Sequence, residues 1–219
     1  MGDRIATQVQ LPVLAYRLVF RDPIFNLEEL DDSAVSAAFA AFRPWNVSLE
    51  NIKVKEDPAN FSEEATEFTL LGGRITFSIT PGGCAIAMAN PNWSEADLII
   101  QIGNAGIAAV LKATGAVPDK QVATITMHLT PQTGTIAEIT SKFVKLDLGK
   151  ITGAPAQSFG FSVYREDLLW VVDRSGAFPN SLFFRMDRWF RGDMSLEQVA
   201  HQLNADEITL LEMLGLEVS

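Results

Sequence analysis

Redox and metal chemistry have little to work with in this chain of 219 residues, which holds one cysteine and two histidines. Cys84 alone forms no internal disulfide, and no CxxC pair is present. A structural zinc site takes four ligands, whereas His128 and His201 lie far apart with no Cys or Asp at ligand spacing. GxxxxGK[ST], GxSxG, HExxH and EF-hand patterns are all missing, so neither a metal nor a cofactor is expected. Gly103-Asn104-Ala105-Gly106 falls inside a helical pattern with no strand before it, which makes it a packing feature and not a nucleotide loop. Cys84 with His128 would be a nucleophile–base pair. The strand pattern instead sets Cys84 beside Ile86 and Met88, where a thiol behaves as a small hydrophobe. No catalytic residue is assigned.

Positive charge is also scarce. Lys and Arg number 17 against 27 Asp and Glu, a net charge of −10. Such a field repels phosphate backbones, so double-stranded DNA is not an expected partner. The acidity is uneven: residues 22–67 hold eleven carboxylates against Arg43, Lys53 and Lys55, and residues 192–219 hold no Lys or Arg. The start, MGDRIATQVQ, has no apolar signal core, and Ala6 breaks the myristoylation pattern. No stretch approaches 18 uncharged apolar residues; Leu98–Leu111 is too short and contains Gln101 and Asn104. The expectation is a cytoplasmic protein with no membrane contact.

What is present is an ordinary globular composition, 47% hydrophobic and 20% charged. No repeat of fixed period is visible. Residues 8–20 read as a strand, with Pro12 marking an edge or a bulge. Asp31, Asp32 or Ser33 caps a helix that ends at Phe42 before Pro44. Residues 47–55 alternate, with one slip. Gly72-Gly73 joins two strands, Glu67–Leu71 and Arg74–Thr80, as a hairpin. Cys84–Ala89 is apolar on both faces, which predicts a central strand with something packed against its alanines.

A long helix over about 94–113 starts at Asn92 or Ser94 and ends at Gly115. Val122–Thr130 alternates strictly, and Thr135–Val144 reads as a short helix with Glu138 three residues after Thr135. Ser158–Tyr164, Asp167–Asp173 and Ser181–Phe190 follow as strands. Ser195–Leu203 and Ala205–Met213 read as two helices meeting at an Asn204-centred turn. A DNA-reading helix-turn-helix is set aside there because the segment holds six carboxylates from Gly192 to Ser219 and no Lys or Arg. The inward set of that hairpin is Leu196, Val199, Leu203, Ile208, Leu211 and Leu214, with Leu210 and Met213 left for a partner.

Strands and helices in blocks predict an α+β fold: a largely antiparallel mixed sheet, one long central helix on its apolar face and a C-terminal αα-hairpin. The length fits a single domain over 1–219, or two lobes, 1–90 and 91–219, that share a sheet or core.

Several strands pair an apolar face with a hydroxyl-rich one. Thr124, Thr126, His128 and Thr130 oppose Ala123, Ile125, Met127 and Leu129, and Ser158, Ser162 and Tyr164 oppose Phe159, Phe161 and Val163. One reading is a face where Thr124, Thr126, His128, Tyr164, Arg185 and Arg188 bind a small polar or anionic ligand. The other is a one-sided sheet whose threonines face water. Arg185, Arg188 and Arg191, interleaved with Trp189 and Phe190, are the one basic cluster. They suit single-stranded nucleic acid, or cross-strand ion pairs with Asp187, Asp193 or Glu166. The functional expectation is a non-enzymatic binding or interaction protein, a homodimer in its simplest form. The alternative is a small-molecule-binding protein or enzyme that uses the hydroxyl face with His128, Tyr164 and Arg185.

Overall fold

The computed structural model describes residues 4–24, 33–55, 64–143 and 160–218. Asp31, Asp32, Ser158 and Phe159 lie outside them. The fold is α+β. Among the described residues, ten strands are β1 (Ile5–Phe20), β2 (Ile52–Lys55), β3 (Ala65–Leu70), β4 (Ile75–Thr80), β5 (Gly83–Ala89), β6 (Pro118–Pro131), β7 (Phe161–Arg165), β8 (Leu168–Arg174), β9 (Leu182–Arg191) and β10 (Leu216–Val218). Among the described residues the helices are α1 (Ala34–Phe42), α2 (Ala96–Thr114), α3 (Ile136–Thr140) and α4 (Leu196–Leu214). The strands follow the order β2-β3-β4-β5-β1-β6-β9-β8-β7, with β10 added in parallel to β1 in a largely antiparallel sheet. Element order runs twice along the chain: a long strand, a short helix, antiparallel strands, a long helix. This is a repetition of topology that the sequence does not display.

The chain divides into two units, Val13–Ala123 with Trp189–Ala200, and Met1–Pro12 with Thr124–Arg188 and His201–Ser219. In the first, Ser33 Oγ accepts from Ser36 N and caps α1. Phe42 at the end of α1 meets Phe68 and Phe77 edge-on, with centroids 5.4 and 5.0 Å away. Leu71, Gly72 and Gly73 all take positive φ in the β3–β4 turn. Gly83 passes so close to β1 that a Cβ there would lie 2.0 Å from the Leu18 carbonyl oxygen. Asn92 Oδ1, not Ser94, opens the turn leading into α2, and Gly115 ends that helix at φ 67°.

Two expectations change in this unit. The slip in residues 47–55 is a 3-10 turn over Leu49–Asn51, so only Ile52–Lys55 is strand. On β5, Cys84, Ile86 and Met88 are buried as expected, but Ala87 and Ala89 are exposed, so the alanine side is uncovered. The segment Trp93–Thr114 is long and apolar enough to cross a membrane by length and composition. Within it Ile102, Gly103, Gly106 and Val110 are buried.

In the second unit, Leu11 adopts φ 46°, a left-handed value, immediately before Pro12. The kink falls where proline suggested a bulge, although β1 has strand neighbours and is no edge. Thr135 and Glu138 form the reciprocal capping box that starts α3.

The C-terminal segment is one helix and not an αα-hairpin. Ser195 and Gln198 form its capping box, and it continues through Asn204 to Leu214. Leu196, Val199, Leu203, Asp206, Leu210 and Leu214 are buried, an unbroken 3.6-residue stripe. A turn at Asn204 would have rotated the second half. Without one, Leu210 is fully buried and Ile208 is 49% exposed, the reverse of the hairpin reading.

Gly106 tests how tightly α2 packs. A Cβ there would sit 2.6 Å from Phe42 Cζ and 2.7 Å from Phe77 Cε2. Alanine gains about 1 kcal/mol of helix propensity, while overpacking costs about 1–3 kcal/mol. Gly106→Ala is therefore expected to lower unfolding stability in urea, and a rise would show slack in the phenylalanine cluster.

Candidate functional site

The second unit brings the hydroxyl-bearing strand face together. Thr124 Oγ1 donates to Asp187 Oδ1 at 2.7 Å, and the Thr130 and Ser181 hydroxyls lie 2.6 Å apart. This constant offset sets antiparallel β6 on β9 with Thr126 opposite Arg185 and His128 opposite Phe183. The His128 and Phe183 rings are indeed 5.4 Å apart. On β8, Leu169 faces Asp187, Val171 faces Arg185 and Asp173 faces Phe183. On β7, Tyr164 faces Leu169 and Ser162 faces Val171. Five of the six residues singled out from sequence (Thr124, Thr126, His128, Tyr164 and Arg185) therefore share one face. Its threonines and His128 are half-buried, and Tyr164 is 75% exposed.

Arg188 is the exception. Side chains alternate along β9, so Arg185, Asp187, Trp189 and Arg191 share one phase, while Arg188 joins the buried set Leu182, Phe184, Met186 and Phe190. Its Nη2 lies 3.1 Å from Asp167 Oδ2, and its Nε lies 3.5 Å from Asp206 Oδ2 on α4. Gln202 Nε2 donates to Asp206 Oδ1 at 2.9 Å, and Arg165 binds the other oxygen of Asp167 at 3.1 Å. The 3.5 Å approach of Arg188 to Asp206 joins α4 to β9 by charge between two buried side chains. The three arginines do not form one basic surface: Arg185 pairs with Asp187, Arg188 with Asp167 and Asp206, and Arg191 with Asp193.

Two groups on the shared face are held from behind. Arg185 Nε donates to Asp187 Oδ2 at 2.9 Å, and Asp187, only 4% exposed, is itself fixed by Thr124. Ser175 Oγ accepts from the amides of Ala177 and Phe178, so its proton points to His128 Nδ1, 2.9 Å away. That assigns the ring proton of His128 to Nε2. Phe178 packs edge-on at 5.0 Å. Ser175 is 5% exposed, and both its lone pairs are engaged, so Ser175 and His128 form a structural pair and not a nucleophile with its base. Asp187 was legible in the sequence as an ion-pair partner of these arginines, whereas Ser175 was not, because His128 lies 47 residues away in the chain.

In the first unit, the Tyr16 hydroxyl donates to Gln121 Oε1 at 3.0 Å, and Gln121 Nε2 donates to the carbonyls of Gly192 and Met194. Gln121 is 1% exposed with its amide fully used, so it ties the loop before α4 to β6. Cys84 is buried, and burial pushes its thiol up to about 12, so it is no thiolate at neutral pH. Trp170 is buried, while Trp189 is 39% exposed. Among the described residues no group of three or more His, Cys, Asp or Glu is placed to hold a metal ion.

No family model matches this chain. No curated protein matches it either. A solved structure of an unknown protein from Galdieria sulphuraria aligns over 94% of this chain and 92% of its own, at 11% identity and a TM-score of 0.16. A likeness of that size supports no argument about fold or function.

Burial makes stability sensitive to alkali. The Tyr16 phenol is raised, first by burial and then by the neighbouring Cys84, in the same direction as the thiol. Unfolding returns the two groups to their ordinary values of 9.0 and 10.0. Above those values the unfolded chain binds fewer protons than the folded one, so stability falls as pH rises. It is complete below pH 9 and is expected to decline from there toward 12, by up to about 1.4 kcal/mol per pH unit per group. Urea unfolding from pH 7 to 11 measures it, with Cys84→Ala flattening the first part of the fall. A flat profile in the native protein would contradict the buried, protonated pair.

Proposed function

We propose that the protein is a non-enzymatic interaction module that self-associates in the cytoplasm through the outer face of β6, β9, β8 and β7. The observation that carries this reading is an exposed Tyr164 sharing one strand face with an Arg185 already held by a buried carboxylate. Half-buried Leu169, Val171 and Phe183 fill the rows between them. Tyrosine, arginine and phenylalanine are the side chains enriched where proteins meet. An arginine whose rotamer is fixed beforehand loses less entropy on binding. The engaged, buried Ser175 supports a binding role for His128 over a catalytic one. A single free cysteine fits the reducing cytoplasm.

The tautomer fixed on His128 favours one second reading, a small polar or anionic ligand held by His128 Nε2, Thr126 and Arg185. That ligand would bind the monomer and leave its mass unchanged.

Sedimentation equilibrium separates the two. The native chain is expected to dimerise reversibly, and Tyr164→Ala to weaken the dimer about tenfold or more. A monomer at every concentration up to the solubility limit would rule the reading out.

A further inference from the structure

Two copies carrying −10 each repel at long range, so the surfaces that meet must be matched in charge. On the outer face of the second unit, Arg185 lies opposite Val171, and Asp173 lies two residues further along β8 on the same side. Diagonal neighbours of this kind sit about 7–8 Å apart, within reach of a long side chain. No hydrogen bond or ion pair joins them. Arg185 turns toward Asp187, to which its Nε donates at 2.9 Å, and its side chain stays 50% exposed. Asp173 is exposed and uses Oδ1 to accept from the amide of Arg174 at 2.6 Å. Arg185 and Asp173 thus lie on neighbouring rows of one face, with Arg185 drawn along β9 toward Asp187.

Such a face complements itself. About a twofold axis, residue i of one copy meets residue j of the other, and j meets i. We propose that this face is an isologous homodimer interface in which Arg185 of each copy donates to Asp173 of the other, an inference that rests on the self-association reading above. Asp187 and Thr124 order the arginine before the partner arrives. Phe183, directly opposite Asp173, and the neighbouring Val171 supply apolar surface that keeps water from the paired charges. The ion pairs occur twice by symmetry, so two chains with a net charge of the same sign gain two attractions at closest approach.

A charge exchange tests it. Sedimentation velocity would be run on the full chain, on Arg185→Asp, on Asp173→Arg and on an equal mixture of the two variants. Each variant alone sets like charges against each other and is expected to dimerise at least tenfold more weakly. The mixture restores both contacts and is expected to return the dimer. Asp173→Arg is the safer variant, since it leaves the Arg185–Asp187 pair intact, and circular dichroism checks that both fold. Arg191→Asp, 83% exposed in the native side chain, serves as a control and should not change association. A native chain that stays monomeric overturns the self-association reading. A native dimer that neither variant weakens, or that the mixture fails to restore, overturns the Arg185–Asp173 pairing alone and leaves self-association through another surface.

Discussion

A strand sends alternate side chains to opposite faces, and in each unit the described strands bury one face while leaving the other partly wet. Most of the architecture follows from that constraint. The buried face takes Phe68, Phe77, Ile79 and Ile86 in one unit and Ile125, Met127, Phe184 and Met186 in the other. The remaining positions can be polar, and they are: Thr76 and Ser78 in the first, Thr124, Thr126, His128 and Arg185 in the second. The same alternation forces Arg188 inward, three residues from an outward Arg185. A charge at that position requires carboxylates around it, and Asp167 and Asp206 provide them. A polar residue in the interior stripe of α4 is therefore the consequence of a parity fixed on β9.

Local chemistry carried much of the fold into the sequence. The Ser33 cap, the Gly72-Gly73 turn, the Thr135–Glu138 capping box and the Gly115 cap are short-range features, and each acts where its residues stand. The strict alternation of residues 122–130 likewise predicted which side of β6 is buried. The C-terminal helix departs from the expected hairpin because Asn204, a common turn former, stands inside it. The stripe from Leu196 to Leu214 runs through it without a change of phase, and tertiary burial overrides the modest helix preference of one asparagine. Counting the stripe past Asn204 would have placed both Leu210 and Asp206 inside.

The shared face was legible as a set of hydroxyls and aromatics. Its organisation was not. Asp187 follows Arg185 by two residues, which looks like any mixed-charge strand, and Ser175 sits in a loop 47 residues from the histidine it binds. What distinguishes the face is that its exposed donors are backed by buried, fully engaged partners. Ordinary surface charges lack such support: Arg191 and Asp193, one strand end away, approach to 3.4 Å with both side chains mostly exposed. Surface pairs of that kind contribute about 0–1 kcal/mol. An arginine locked by a buried carboxylate is prepared for a partner, whereas a solvated one is not.

The proposed binding role stands on the preorganisation of Arg185, and side-chain 15N relaxation of the arginine Nε–H groups measures it directly. The account predicts an Arg185 Nε–H nearly as rigid as the backbone of β9, and an Arg191 Nε–H moving freely on the nanosecond timescale. Equal, high mobility at both arginines would contradict it.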